Sequence, residues 1–122
     1  MSRDHRKLRV FNLADDLVTR VYEASKEFPV AERFGLQQQL RRAAVSVACN
    51  IVEGAARSGE EEYLGFLNIV AGSASEARTL CELSGRFGYF TAKASAEFED
   101  RYCELCASIQ ALIASIRSPP RS

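Results

Sequence analysis

A row of polar side chains recurs at helical spacing in the second quarter of the chain. Successive members are three or four residues apart, which places them on one side of an α-helix at about 100° per residue. Arginine, asparagine and glutamate in such a row can bind an anionic substrate, or can bond to one another between packed helices. We call this row, with one glutamate further along the chain, the polar seam; its members are Arg42, Ser46, Asn50, Glu53, Arg57 and Glu76.

Three interpretations of the polar seam follow from its residue types. The first is a network of hydrogen bonds and ion pairs that fixes the register of two helices and a contact between subunits, because buried polar groups need partners. The second is a binding surface for a partner or ligand. The third is the active site of a small helical enzyme, which requires a concave, water-filled pocket. We favour the structural network and expect no catalytic residue.

The other reactive side chains do not form a recognisable site. Cys103 and Cys106 are spaced as Cys-x-x-Cys, but Cys49 and Cys81 stand alone, and a zinc site needs about four ligands. The single histidine, His5, lies near the N-terminus. That position argues against a Ser-His or Cys-His triad and against a di-iron bundle with Glu-x-x-His ligands. We therefore expect the cysteines to act as small apolar side chains, with no metal and no cofactor.

Opposite charges balance over the whole chain but not along it. The chain has 122 residues, with 16 basic and 16 acidic side chains, so no global field favours nucleic acid or anionic lipid. Residues 1–57 carry a net charge of +3 and residues 58–122 a net charge of −3. The positive excess is a solubilising tail or a weak nucleic-acid surface, for which the candidate contacts are Arg3, Arg6, Lys7, Arg9 and Arg41.

The apolar segments argue for a cytoplasmic protein without membrane contact. None of them approaches the roughly 18–20 residues that a membrane-spanning helix needs. The N-terminus is charged and lacks the apolar core of a signal peptide. In the cytoplasm the four cysteines are expected to be reduced thiols.

Apolar residues recur with the period of an α-helix, and no segment shows the period of a strand. The pattern predicts helices over about 12–28, 34–57, 59–87 and 92–117. Asn12, Thr91 and Ser58 are the predicted N-caps, the last in a capping box with Glu61. Four such helices with short connections favour an all-α, antiparallel up-down-up-down four-helix bundle. The predicted organisation is an arm over 1–10, the bundle over 11–118 and a tail over 119–122.

The second helix carries two apolar faces instead of one. Leu36, Leu40, Ala43, Val47 and Ile51 form an ordinary core stripe. A further arc, apolar except for Arg41, remains on the other side of the helix, so we expect it to pack on something outside the domain, which favours a homo-oligomer. That arc consists of Val45, Ala48, Cys49, Val52 and Ala56.

The turn near Gly59 predicts which residues of the second and third helices face each other. Arg42 is expected near Glu76, and the two side chains are expected to form an ion pair. Ser46 is expected near Gly72, and Asn50 near Asn68. Interior glycines cost around 1 kcal/mol each relative to alanine, so Gly65 and Gly72 predict a close approach of another backbone.

Two segments resemble a known family. The runs LRRAAVSVACNIVEG at 40–54 and FLNIVAGSASEARTL at 66–80 are similar to four-helix-bundle proteins encoded in intervening sequences of bacterial 23S ribosomal RNA genes. Val47 and Val52 replace the usual isoleucine and alanine, and both changes are conservative. The matching residues are Leu40, Arg41, Arg42, Ala43, Ser46, Asn50, Ile51, Glu53, Gly54, Phe66, Leu67, Gly72, Ser73 and Glu76.

The resemblance implies a ring-shaped homo-oligomer, a homopentamer, with no known enzymatic activity. The family also resembles the accessory protein of diversity-generating retroelements, a basic pentamer that works with a reverse transcriptase and nucleic acid. The interpretation is therefore a non-enzymatic scaffold or interaction protein. The alternatives are an RNA-associated accessory protein and a small bundle enzyme that binds an anionic substrate.

Overall fold

Four long helices make up most of the chain. The structure, a computed structural model, describes residues 3–118; the predicted tail over 119–122 lies outside these residues. The helices are α1 (Arg9–Ser25), α2 (Leu36–Ala55), α3 (Glu60–Arg86) and α4 (Ala92–Arg117), with short 3-10 turns at His5–Lys7 and Val30–Glu32. The described part of the chain contains no strand, which confirms the predicted all-helical class.

Each helix packs against the two helices beside it. Contacts join α1 to α2, α2 to α3, α3 to α4 and α4 back to α1, and within residues 3–118 neither diagonal pair is in contact. Arg9 near the start of α1 pairs with Glu104 of α4, and Arg101 one turn earlier in α4 lies 3.5 Å from Asp16. This order of contacts shows that α1 and α4 run antiparallel, as in an up-down bundle.

The core is built from the apolar stripes that face the centre of the four helices. Leu40 and Ile51 of α2 are fully buried, and Leu67 of α3 with Leu105 and Ile109 of α4 are buried to the same degree. Burying one such side chain contributes about 1.5–3 kcal/mol. All five residues of the predicted core stripe of α2 are buried, so that prediction is confirmed.

The start of α1 differs from the prediction. The helix begins at Arg9, three residues before the expected cap at Asn12, and Asn12 instead donates through Nδ2 to the carbonyl of Arg6 at 3.4 Å. The reason is that Val10 belongs to the core stripe of α1 and is buried. Tertiary burial therefore overrides the local capping preference, as it commonly does.

The other two predicted caps have different outcomes. Thr91 caps α4, since its Oγ1 accepts a hydrogen bond from the backbone N–H of Ala94 at 3.1 Å. The predicted capping box of Ser58 and Glu61 is wrong, because the N-cap of α3 is Gly59 and no side chain caps that end. Three glutamates still occupy the first turn of α3, where the helix dipole favours negative charge.

None of the helices within residues 3–118 combines the length and the apolar character that crossing a membrane demands.

The α2 backbone lies close to α3 at Gly54. A Cβ built there would lie 2.8 Å from Cβ of Phe66 and 3.4 Å from the ring of Tyr63. We expect Gly54→Ala to lower the free energy of unfolding by about 1–3 kcal/mol, because the added methyl group must push the two helices apart. Thermal or urea unfolding followed by circular dichroism measures this effect.

Gly65→Ala is the matched control, because no atom lies within 4 Å of the corresponding Cβ position. At a protein concentration too low for copies to assemble, that substitution should leave the stability of the protomer unchanged or raise it by up to about 1 kcal/mol. Equal stabilities for the two variants would contradict the close packing at Gly54.

Candidate functional site

The centre of the polar seam is a hydrogen-bond network between α2 and α3. The hydroxyl oxygens of Ser46 and Ser73 lie 3.0 Å apart in a hydrogen bond. Asn50 donates through Nδ2 to the carbonyl of Ser46 at 2.8 Å and to its hydroxyl at 3.1 Å. All three side chains are half-buried. The network therefore fixes the register of α2 against α3, with Ser46 facing the residue next to the predicted Gly72.

The C-terminal end of the polar seam is held by contacts within and beside α2. Arg57 donates through Nη2 to Glu53 at 2.9 Å, one turn earlier. The guanidinium of Arg57 also lies over the ring of Phe66, 5.0 Å from its centroid. These contacts hold the side chain of Arg57 against α3.

The N-terminal end of the polar seam is open to solvent. Arg42 and Glu76 line one groove of about 370 Å³ between α2 and α3, together with Ser46 and Ser73. Both charged side chains are exposed, and neither belongs to any ion pair that the structure shows within residues 3–118. The predicted ion pair between them is therefore wrong, although the two residues do face the same groove. The physical reason is that an exposed pair gains little over two hydrated charges.

Arg3 lies in the corner between the end of α2 and the start of α3. Its backbone N–H donates to the carbonyl of Ala55 at 2.7 Å, and its Nη1 donates to the carbonyl of Arg57 at 2.8 Å. The last carbonyls of a helix lack partners within the helix and attract a cation. The guanidinium also stacks 3.9 Å from the ring centroid of Tyr63, whose pKa is raised by burial, an effect that the positive charge of Arg3 opposes.

The five residues predicted to contact nucleic acid do not all remain available at the surface. Arg41 donates through Nε to the hydroxyl of Ser25 at 2.8 Å and through Nη2 to the carbonyl of Tyr22 at 3.2 Å. Arg9 pairs with Glu104 of α4. With Arg3 also engaged, two of the five remain exposed and outside the ion pairs of the described chain; these are Arg6 and Lys7.

The cysteines are spread over three environments. Burial raises the pKa of the Cys81 thiol to about 12 and also raises the pKa of the Cys106 thiol. Cys49 and Cys103 are exposed. Within residues 3–118 no three side chains from His, Cys, Asp and Glu come together as metal ligands.

Sequence reasoning identified the outer apolar arc of α2 but missed that α3 and α4 also carry long uncharged segments. The segments 43–52 of α2, 63–75 of α3 and 105–116 of α4 contain no charged residue. On α3 the uncharged segment exposes half of Ile69, which lies between Gly65 and Gly72. No atom lies within 4 Å of the Cβ position at either glycine, so the predicted close approach of a backbone does not occur within one protomer. The absence of charge along these segments was the available signal.

Comparisons with known proteins agree on the family and the fold. The family model for the 23S rRNA-intervening sequence protein matches residues 6–111. A crystal structure of a protein of unknown function from the S23 ribosomal protein family of Bacteroides thetaiotaomicron superposes with a TM-score of 0.79. The two chains are 21% identical over 86% of this chain and 95% of the other, a similarity that supports the fold alone. A search of curated proteins finds no match.

The hydrogen bond between Ser46 of the polar seam and Ser73 of α3 allows a direct test of the structural interpretation. We expect Ser46→Ala and Ser73→Ala each to lower the free energy of unfolding by about 1 kcal/mol, because each removes a half-buried hydrogen-bond partner. The double variant should lose less than the sum of the two single losses, since both remove the same bond. Urea unfolding of the four proteins measures this coupling, and strict additivity would contradict the bond.

Proposed function

This chain belongs to the family of 23S rRNA-intervening sequence proteins, and from that premise we propose that it is a non-enzymatic interaction protein that works as a ring of identical copies. Family members and the solved neighbour are of unknown function, so no activity is inherited from them. The number of copies in the proposal is five, as the resemblance of the motif segments implies. The proposal includes a cytoplasmic location, which the four unpaired cysteines support.

The main observation that supports this proposal is the exposed side of α3. Ile69 is 50% exposed and lies in the middle of a long helix, away from any loop. Gly65 and Gly72 on either side leave the helix backbone open to a neighbouring molecule. Small residues around one apolar side chain let a second helix pack closely, and contiguous apolar surface of this kind marks contacts between proteins.

The polar seam supports a structural role and not catalysis. Ser46 bonds to Ser73 and to Asn50, and Arg57 bonds to Glu53. The groove beside Arg42 is open, and its lining contains neither a histidine nor a cysteine. The hydrogen bond between Ser46 and Ser73 holds α2 and α3 in register, although the buried Nε of Arg57 has no hydrogen-bond partner within the described residues.

Association with RNA is the second candidate function. The observation in its favour is that Arg6 and Lys7 are exposed at one end of the bundle, and a ring of five copies would repeat this pair five times. Such binding depends on phosphate contacts and therefore weakens steeply with added salt.

Size-exclusion chromatography with light scattering at low and high salt tests both candidates. A particle near five times 13.5 kDa at both salt concentrations, with no excess absorbance at 260 nm, supports the ring and a role in protein interaction. An excess at 260 nm that high salt removes supports association with RNA. A monomer at both salt concentrations would overturn the ring.

We expect Ile69→Asp to convert the assembly into monomers. The carboxylate would have to be desolvated against a neighbouring copy, which costs several kcal/mol without a partner, whereas in the monomer it stays in water. Circular dichroism should show an unchanged helical content, because half of the Ile69 side chain is already exposed.

Val30→Asp is the matched control, since Val30 is 86% exposed in the connection between α1 and α2. This variant should retain the mass of the unmodified protein. Dissociation by the control alone would place the subunit contact at the loop end of the bundle and contradict the role of α3.

A further inference from the structure

We infer that a groove between the end of α1 and the start of α2 binds single-stranded nucleic acid, with a base stacked on an aromatic ring and phosphates bound by arginines. This inference rests on the second candidate function, association with RNA, and assigns to it a site and a class of ligand. The groove has a volume of about 260 Å³. We call it the arginine groove; its charged and aromatic lining residues are Tyr22, Arg33, Phe34, Arg41 and Arg42.

Positive charge is concentrated in the arginine groove. Its lining includes three arginines and no acidic residue, although opposite charges balance over the whole chain. Arg33 and Arg42 are exposed, and neither forms an ion pair within residues 3–118. Arginine binds phosphate through two parallel N–H···O bonds. Three arginines without a carboxylate among them therefore favour a ligand that carries phosphates.

The carboxylates that adjoin the arginine groove in sequence have other partners. Glu32 accepts a hydrogen bond from a backbone N–H at 3.1 Å and another from a tyrosine hydroxyl at 2.9 Å. Glu23 pairs with Lys26 at 3.2 Å. Glu76 lines the separate groove between α2 and α3, which Arg42 also borders. Arg33 and Arg41 therefore supply the phosphate contacts that an unpaired carboxylate opposes least.

Two aromatic rings of the arginine groove face solvent. Phe34 is 80% exposed and Tyr22 is 40% exposed, and neither ring stacks on another aromatic ring in the described part of the chain. A single exposed apolar side chain is common on a soluble protein, but here two rings lie in one groove with three arginines. Every nucleic-acid base has a flat face that can stack on such a ring.

Arg41 is held in position before any ligand binds. Its Nε donates to the hydroxyl of Ser25 at 2.8 Å, and its Nη2 donates to the carbonyl of Tyr22 at 3.2 Å. Its guanidinium also lies 4.5 Å from the ring centroid of Tyr22. Arginine has five N–H donors, so these two bonds leave donors for a phosphate. Because the side chain is already ordered, binding loses less conformational entropy.

The same pairing of arginine with an aromatic ring recurs in the connection between α1 and α2. The guanidinium of Arg33 lies 5.7 Å from the ring centroid of Phe34. The arginine groove thus has two flat rings, each with a cation beside it. A single strand of nucleic acid presents flat bases and phosphates in alternation, whereas a duplex hides the faces of its bases in the stack.

Other anionic ligands would use only part of the arginine groove. An acidic peptide could pair its carboxylates with the arginines but need not supply a flat ring for Phe34. Inorganic phosphate would leave both rings in water. A free nucleotide has the same chemistry as a strand but a single base, so competition between the two separates these sources.

Fluorescence anisotropy of a labelled uridine strand of about twelve nucleotides, measured over a salt series, tests the inference. We expect Phe34→Ala to weaken binding by about fivefold to a hundredfold, because a stacking ring is removed. Arg33→Gln should weaken binding and reduce the slope of log affinity against log salt by about one. Circular dichroism should show intact helices in both variants, because both side chains are exposed.

Phe87→Ala is the matched control, because Phe87 is 57% exposed but lies between α3 and α4, outside the arginine groove. It should bind the strand as the unmodified chain does. An equal loss in the Phe87 and Phe34 variants would overturn the site. Equal affinity for a duplex of the same length, or displacement of the strand by an equal concentration of uridine monophosphate, would also overturn it.

Two further outcomes separate the site from the association with RNA. Binding that is lost in the double variant Arg6→Gln, Lys7→Gln and unchanged in the Phe34 and Arg33 variants would overturn the site and leave the association in place. An unmodified chain that binds no strand at low salt would overturn the association, and the site with it. A thymidine strand that binds as tightly as the uridine strand supports a site that does not read the 2′-hydroxyl.

Discussion

At Gly54 the backbone of α2 comes so close to α3 that a Cβ there would lie 2.8 Å from Cβ of Phe66. This close packing sets the distance between the two helices. The Ser46–Ser73 bond then sets their register, because half-buried hydroxyls that separate lose a partner. The core stripes, the corner that receives Arg3 and the outer surface of α3 all depend on this pair of helices.

The polar seam changes character along its length. Where the polar seam is half-buried, Ser46 bonds to Ser73 of α3 and Asn50 bonds to Ser46 within α2, because buried polar groups need partners. Arg42 and Glu76 are exposed to solvent, and their charged groups form no ion pair with each other. One row of side chains therefore has a structural part, which aligns the helices, and an open part, which is available to another molecule.

One stretch each of α2, α3 and α4 carries no charge. These uncharged segments adjoin one another. For a lone protomer this is an unfavourable surface, since Ile69 faces water and Gly72 weakens its helix without any contact in return. A neighbouring copy would give both residues a function.

The sequence by itself determined the helical class, the four helices and the core stripe of α2, because a 3.6-residue apolar period is a local property of the chain. It also indicated that Ser46 faces α3. Only the tertiary structure decided that α1 starts at Arg9, that Arg3 and Arg41 bond to backbone carbonyls and that the glycines of α3 are open. These facts depend on distances between residues far apart in sequence and on which side chains water reaches, and neither is encoded in local spacing.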